Sequence, residues 1–321
     1  MRTYPPFLFA AVVLLMMSHA SAQNYPAKSI RIVTASGAGG GVDTISRIVG
    51  QKLSERWNQS VVVENRPGGG GVVGSDFVAK SPADGHTLLT ISISYSVIPS
   101  SHKNLAYDPV RDLVPVTVLV NAPNILVVHP SLPARSIKEL ISLAKARPGE
   151  LYYASSGNGS PSHLATELLK LLTGINLVHV PYKGTSPGIT DVIAGRVSMM
   201  FASVISTASH LKAGKLRVLA AAGTKRAAAM PEVATIAEAG VPGYAVDVWY
   251  AMLAPAAAPR DVLVKLNGEV ATVLHLPEIR DRLGSIGLEP VGASLEQSAA
   301  YIHSEIAKWA KVVKAANITA N

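Results

Sequence analysis

One unit recurs along the sequence: a short apolar run, then a loop rich in glycine or serine, then a helix start. The apolar runs are residues 30–34, 61–63, 151–154 and 177–180. Strands that alternate with helices predict a parallel sheet whose faces are covered by the helices. Because each half of the chain carries the unit twice, the pattern predicts two similar α/β lobes whose loop ends face a common cleft.

Helix-start signals are clearest in the second half. The serine–proline pairs at residues 160–161 and 186–187 each predict an N-cap followed by the first helical residue. Gly174 and Gly195 follow the predicted ends of these two helices, as expected of C-terminal glycines. A shorter helix is predicted near residues 75–80, after the glycines at 68–71.

Two long apolar stretches, residues 116–128 and 246–253, flank the second pair of units. They predict two connections that cross between the lobes. The first lobe is therefore predicted to be discontinuous, with residues 23–122 and 248–321, and the second lobe to be residues 123–247. The C-terminal helices would return to cover the first lobe.

The N-terminus has the pattern of a secretory signal peptide. Met1 and Arg2 precede an apolar core at residues 7–17, and Ala20-Ser21-Ala22 matches a cleavage site. A retained anchor would need roughly 20 apolar residues, so the core is too short to span a bilayer stably. We expect cleavage after Ala22, which makes residues 1–22 a signal peptide and the mature protein exported.

Composition excludes several classes of function. There is no cysteine, so neither disulfides nor thiol catalysis are available. The net charge is +8, but the lysines and arginines are scattered, which argues against a nucleic-acid surface. Gly69-x-Gly71-x-x-Gly74 matches a dinucleotide fingerprint, yet residues 85–107 contain no acidic residue to hold a ribose. No cofactor and no metal are predicted.

The glycine and serine loops are the candidate ligand site. Glycines before a helix leave backbone amides open to a ligand, and the positive helix end favours an anion. Asp43 would repel an anion and is better suited to brace its loop, and His163 is as well suited to a buried or capping role as to ligand contact. The candidate ligand-binding residues are Ser36, Ala38, Gly39, Gly40, Asp43, Gly70, Gly71, Ser92, Ser155, Ser156, Asn158, Ser160, His163, Thr185, Ser203 and Asp247.

No catalytic motif is present: there is no Gly-x-Ser-x-Gly elbow and no His-Glu-x-x-His. We therefore expect a binding protein and not an enzyme. The alternatives are an exported hydrolase that pairs a serine nucleophile, such as Ser155, with His163, and a structural surface protein with no saturable ligand.

Several longer motifs resemble one family, the Bug (Bordetella uptake gene) substrate-binding proteins of tripartite tricarboxylate transporters, which are TctC-like. The resemblance covers essentially the whole mature chain. Its motifs are residues 39–43 with Arg47, residues 64–71 (Glu-Asn-Arg-Pro-Gly-Gly-Gly-Gly), 81–85, 153–164, 179–184, and 249–250 with 254–255.

The resemblance implies a periplasmic-binding-protein fold of type II, a Venus flytrap with two crossover connections. It implies capture of a dicarboxylate, tricarboxylate, acidic amino acid or aromatic acid, with one carboxylate held by backbone amides of the first strand–helix loops. It also implies delivery to membrane permease subunits, with sensing as the alternative role. We expect the protein to be periplasmic and monomeric.

The chain departs from the family pattern at three places. Ala35 and Ser36 stand where a proline and an aromatic residue are common, which predicts a roomier and more polar pocket wall. Ala251 replaces a common glycine. Asp247 adds an acid near the second crossing, where it would either hold a ligand ammonium or hydroxyl group or support the hinge.

Overall fold

The computed structural model describes residues 25–318. The strands are β1 (Ile30–Thr34), β2 (Val61–Asn65), β3 (Thr87–Ser92), β4 (Leu113–Asn121), β5 (Asn124–Val128), β6 (Tyr152–Ser155), β7 (Val178–Pro181), β8 (Met199–Ser203), β9 (Arg217–Ala221), β10 (Trp249–Pro255) and β11 (Glu289–Pro290). The helices are α1 (Gly41–Trp57), α2 (Val72–Ala79), α3 (Ile98–Ser101), α4 (Ile137–Ala146), α5 (Pro161–Thr173), α6 (Thr185–Ile193), α7 (Val204–Lys212), α8 (Arg260–His275), α9 (Pro277–Ser285) and α10 (Leu295–Ala315). Short 3-10 helices span Gly69–Gly71 and Ile93–Val97.

The first sheet has six strands in the order β11-β4-β10-β3-β1-β2. β1 runs parallel to β2 and β3, whereas β10 runs antiparallel to both β3 and β4. Ile32 and Val33 point to opposite faces of β1, and both are fully buried, as expected for a strand covered on both sides. Helix α1 covers one face of this sheet with Ile45, Val49 and Leu53, a helical spacing of apolar residues.

The second sheet has five strands in the order β7-β6-β8-β5-β9. The chain passes from one sheet to the other between β4 and β5 and returns between β9 and β10. The predicted two-lobed α/β fold with two crossovers is therefore confirmed. The residue boundaries of the lobes at 122–123 and 247–248 stay a prediction.

The C-terminal helices pack on the first sheet, and α10 forms hydrogen bonds with β4 and with the start of β10. The backbone N–H of Val118 donates to Ser298 Oγ at 3.0 Å. One oxygen of the buried Glu305 accepts hydrogen bonds from Trp249 Nε1 at 3.1 Å and from Trp309 Nε1 at 3.0 Å. Because Trp249 begins β10, this shared carboxylate ties the start of the returning strand to α10.

The predicted helix starts are partly corrected. Ser160 caps α5 by accepting from the backbone N–H of His163, and Gly174 ends that helix in a left-handed conformation, so this prediction is confirmed. Helix α6 starts at Thr185 with Gly184 as its N-cap, two residues before the predicted N-cap Ser186. Proline is tolerated in the first turn because the N–H groups there have no partner within the helix. Helix α2 starts at Val72 rather than near residue 75.

The predicted signal peptide, residues 1–22, lies outside the described residues. Between residues 25 and 318, no helix combines the length and the apolar character that a membrane span requires.

Candidate ligand-binding site

Two cavities lie between the lobes, and each draws residues from both. The tyrosine cavity encloses about 360 Å³. It is lined by Gly41, Thr44, Ala122, Asn124, Ser156, Pro161, Ser162, Thr185, Phe201, Ala202, Ser203, Ile205, Val248, Tyr250, Ile286, Gly287 and Leu288. The glycine cavity encloses about 300 Å³. It is lined by Ala35, Ser36, Gly68, Gly69, Gly70, Gly71, Ser92, Ser94, Val97, Ile98, Ser101, His102, Asn158, Gly159, Ser160 and Ile318.

Six helix starts converge on these cavities. Each of the following lining residues is either the N-cap or the first residue of a helix: Gly41, Gly71, Ser92, Ser160, Thr185 and Ser203. Helix N-termini carry a partial positive charge and free N–H groups. Among the described residues that line the two cavities, none is Asp, Glu, Lys or Arg. The site is therefore suited to an anion that is held by neutral donors.

Part of the first-lobe wall of the glycine cavity is glycine backbone. Gly68, Gly69, Gly70 and Gly71 all have positive φ, at 134°, 56°, 65° and 112°. Residues with a side chain rarely adopt these angles, so glycine is required for this turn and a ligand can approach the backbone closely. Ser36 adds a hydroxyl whose Oγ is shielded from solvent and has no hydrogen-bond partner. That oxygen is free to bond to a ligand in the cavity.

Tyr250 of β10 borders the tyrosine cavity and packs against the first residue of α1. A Cβ atom at Gly41 would lie 2.8 Å from Tyr250 Cζ, so the ring needs a glycine at this position. Burial raises the pKa of Tyr250 to about 12, which keeps the phenol neutral. In the sequence, Tyr250 stands out only as part of a family motif, and it was not predicted as a lining residue.

Asp43 braces the loop before α1 and does not line either cavity. Its carboxylate accepts from the Gly39 N–H at 2.9 Å, from Arg47 Nε at 3.1 Å and from Asn65 Nδ2 at 2.9 Å. Burial alone would raise its pKa, but these hydrogen bonds outweigh burial and hold the pKa below its usual value. The Gly39 N–H, which was predicted to bind the ligand, therefore donates to Asp43 instead. Ala38 and Gly40 also lie outside both linings.

The loop of residues 155–160 belongs to both cavities. Ser156 lines the tyrosine cavity, while Asn158 and Ser160 line the glycine cavity. Ser155, the first residue of this loop, and His163, in the first turn of α5, line neither cavity. Ser155 is fully buried, and its Oγ is 2.6 Å from His179 Nε2.

The pairing of Ser155 with His163 that the alternative hydrolase would need is not found, because Ser155 pairs with His179 instead. The hydroxyl of Ser155 also bonds to both the backbone O and the N–H of Gly157, which fixes the turn. A fully buried hydroxyl with three partners is not presented to a substrate, so its environment is that of a structural serine.

Asp247 lies on the other side of the crossing strands, in a rear cavity of about 380 Å³ that Glu289 and Tyr301 also line. Its carboxylate accepts from the Thr224 N–H at 2.9 Å. Successive residues of an extended chain point to opposite faces. Tyr250, three positions further along, accordingly faces the tyrosine cavity. The structure therefore separates Asp247 from the other predicted site residues.

The structure brings most of the predicted site residues to the lining of the two cavities. Those that line the two cavities are Ser36, Gly70, Gly71, Ser92, Ser156, Asn158, Ser160, Thr185 and Ser203. Those that lie elsewhere are Ala38, Gly39, Gly40, Asp43, Ser155, His163 and Asp247. The lining residues that sequence reasoning missed include Thr44, Ser94, Asn124, Phe201, Tyr250 and Leu288. Asn124, Phe201 and Tyr250 come from strands, where only the register decides which face a side chain joins.

Known proteins resemble this chain over nearly its full length. A family model described as "TctC: Tripartite tricarboxylate transporter family receptor" matches residues 45–318. The protein BugT of Bordetella pertussis is 36% identical over 300 residues, which cover 92% of this chain and 91% of BugT.

Solved structures of similar proteins share the fold. The structure of Rpa4515 of R. palustris with adipate has a TM-score of 0.80 and 38% identity, and covers 92% of this chain and 99% of that one. The structure of MatC (Rpa3494) from Rhodopseudomonas palustris with bound malate has a TM-score of 0.77 and 29% identity, and covers 90% of this chain and 100% of that one.

These similarities confirm the predicted family resemblance and the type of fold. The matching family is one of receptors, so the prediction of a binding protein rather than an enzyme is also confirmed. The chain belongs to the TctC family of tripartite tricarboxylate transporter receptors.

Proposed function

We propose that this protein is a periplasmic solute-binding protein that captures a small organic carboxylate for a tripartite tricarboxylate-type transporter. The observation that carries the proposal is the convergence of six helix starts on two cavities whose described lining has no acidic side chain. Partial positive charge from helix ends and neutral donors together favour a carboxylate over a cation or an uncharged solute. The predicted signal peptide supports export.

In the proposed complex, the glycine cavity holds a carboxylate. The backbone N–H groups of Gly69 and Gly70, which donate to no backbone group of the described residues, and the unpartnered hydroxyl of Ser36 supply donors from the first lobe. Asn158 and Ser160 face the same cavity from the second lobe, and closure of the lobes would bring them over the ligand.

The remainder of the ligand extends into the tyrosine cavity. Its apolar lining residues suit an aliphatic chain or a ring, whereas Thr44, Ser156 and Thr185 can bond a second polar group. Apolar lining is supplied by Phe201, Ile205, Val248, Tyr250, Ile286 and Leu288. The adipate and malate of the two similar structures are both dicarboxylates, which supports this arrangement.

Calorimetry on protein that has been unfolded, stripped of ligand and refolded tests the proposal. Adipate, malate, citrate, glutamate and benzoate form the panel, and adipamide is the neutral control for adipate. We expect saturable binding of at least one acid and none of adipamide. If no acid binds to protein whose fold is verified by circular dichroism, the proposal is wrong.

An uptake assay in cells distinguishes a role in transport from a role in sensing. Deletion of this chain is expected to abolish uptake of the radiolabelled acid that calorimetry identifies, and re-expression should restore uptake. Unchanged uptake with a lost transcriptional response to the acid would instead indicate a sensor. Sedimentation of the same protein should give the mass of a monomer.

A further inference from the structure

A buried histidine, His163, and a half-buried one, His179, stack beneath the loop of residues 155–160. The rings of His163 and His179 are parallel within 6°, with centroids 4.1 Å apart, and the ring of Tyr153 stacks on His179 at 4.8 Å. His163 is 7% exposed. Neither histidine lines the tyrosine or the glycine cavity, so ligand contact does not explain why two titratable side chains are stacked together here.

Each histidine is bonded to the loop above it. The backbone N–H of Gly159 donates to His163 Nδ1 at 3.0 Å, and Ser155 Oγ lies 2.6 Å from His179 Nε2. Because Nδ1 of His163 accepts this bond, the neutral ring must carry its proton on Nε2. Protonation would place a second N–H on Nδ1, directly against the N–H of Gly159, and the bond would be lost.

The surroundings of the pair disfavour a positive charge. His163 is the third residue of α5, at the positive end of the helix, where a cation is destabilised. Helix α5 also contributes Lys170 and Glu167, but Glu167 already accepts from Tyr153 Oη at 2.6 Å and from Lys170 Nζ at 2.7 Å. The charged and titratable groups around the stack are thus Tyr153 from β6, the partner histidine, and Glu167 and Lys170 from α5.

The pKa values agree with this geometry. Burial, followed by the neighbouring His163, lowers the pKa of His179 to about 4. Burial also lowers the pKa of His163, which Glu167 opposes and Lys170 reinforces. Because the pKa is lowered in the folded state, the fold has its full stability above the unfolded pKa of about 6.5. That stability is lost as the pH falls from there towards the pKa of folded His179, about 4.

We propose that His163 and His179 act as positioning residues that hold the ligand-covering loop of residues 155–160, and that acid releases this loop and weakens ligand binding. The consequence for ligand rests on the proposed function, since it assumes that the loop covers a carboxylate. The release of the loop itself does not need a ligand. At neutral pH both rings are uncharged and the loop is in place, whereas in acid the Gly159 bond is lost and two like charges oppose each other across the stack.

The first experiment is an NMR titration of the full-length, ¹⁵N-labelled protein without ligand between pH 7.5 and 4. The amide resonance of Gly159 should shift or broaden with the titration of His163, while amides of the first lobe that are remote from ionisable groups stay in place. In His163→Asn, the side-chain oxygen can still accept from Gly159 but does not titrate, so the shift should disappear. His303→Asn, on the exposed face of α10, is the control and should titrate like the wild type.

The second experiment measures adipate affinity of the same three proteins at pH 7.5 and 4.5. The wild type and His303→Asn should lose about tenfold more affinity on acidification than His163→Asn, and the comparison cancels the protonation of adipate itself. Equal losses in all three proteins, or a Gly159 amide that does not respond to pH, would overturn the inference. If His163→Asn does not fold, His163→Gln and the wild-type titration decide the question. Failure of adipate to bind at pH 7.5 counts against the proposed function and leaves the NMR result intact.

Discussion

The two walls of the cleft present neutral donors in different ways. The first lobe does so in part with backbone: four consecutive glycines in positive φ border the glycine cavity, and the N–H groups of Gly69 and Gly70 donate to no backbone group of the described residues. The second lobe does so with side chains on a loop that is fixed from below by Ser155, His163 and His179. The first wall therefore depends on the absence of Cβ atoms, and the second depends on a buried polar network.

This difference predicts two kinds of failure. A side chain added to the first wall should block the ligand while the lobe stays folded. A polar group removed from beneath the second wall should first cost stability, because buried partners are left without hydrogen bonds.

Gly41→Ala is expected to have the largest effect. Its Cβ would overlap the Tyr250 ring, which must then move into the tyrosine cavity. Overpacking of this size costs about 1–3 kcal/mol, and we expect adipate affinity to fall about a hundredfold in calorimetry. Gly37→Ala is the matched control, because a Cβ there has no heavy atom within 4 Å, and it should bind like the wild type. Equal losses in both variants would contradict this account of the first wall.

Ser155→Ala should lower stability by about 2 kcal/mol, since it removes a fully buried hydroxyl and leaves the half-buried His179 without its partner. Urea denaturation measures this change. Ser156→Ala is the comparison from the same loop, at a residue that lines the tyrosine cavity. It should weaken adipate binding severalfold and change the free energy of unfolding by less than about 0.5 kcal/mol. The reverse pattern would show that the two serines have been assigned the wrong roles.

Ser36→Ala sharpens the comparison within the first wall. The hydroxyl has no partner in the free protein, so its removal should leave the free energy of unfolding unchanged or slightly higher. Adipate affinity should fall about fivefold, which corresponds to one neutral hydrogen bond of about 1 kcal/mol. Unchanged affinity would mean that the ligand does not reach Ser36.

Asp247→Asn should have the smallest effect. The residue faces the rear cavity and bonds to Thr224, so adipate affinity is expected to stay within about twofold of the wild type. A tenfold loss in calorimetry would restore Asp247 as a ligand residue and would require the crossing strands to turn its side chain towards the cleft.

Much of the fold follows from local signals in the sequence. The apolar runs predicted β1 and β2 of the first sheet and β6 and β7 of the second, and the Ser160-Pro161 pair predicted the start of α5, because capping and strand burial depend on residues close together in the chain. The predicted start of α6 was wrong by two residues because Gly184, with φ of 113°, can serve as an N-cap where Ser186 was expected.

The site was less predictable than the fold. Loop residues such as Gly70, Ser156 and Thr185 could be found because helix starts mark where loops meet the cleft. Tyr250 and Asp247 could not be separated, because both lie in one apolar stretch and only strand register shows which face each joins. Ser155 appeared to be a free donor in the sequence because its partner His179 lies on a different strand.

The glycine wall also restricts how the specificity of this protein can evolve. Any amino-acid substitution at Gly68–Gly71 adds a Cβ atom in a backbone conformation that resists one, so few substitutions are tolerated at the end of the site that we propose holds the carboxylate. Phe201, Ile205 and Leu288 can change in size or polarity with ordinary backbone angles. A lineage that gains a new substrate would therefore do so through substitutions in the tyrosine cavity, while the glycine wall stays unchanged.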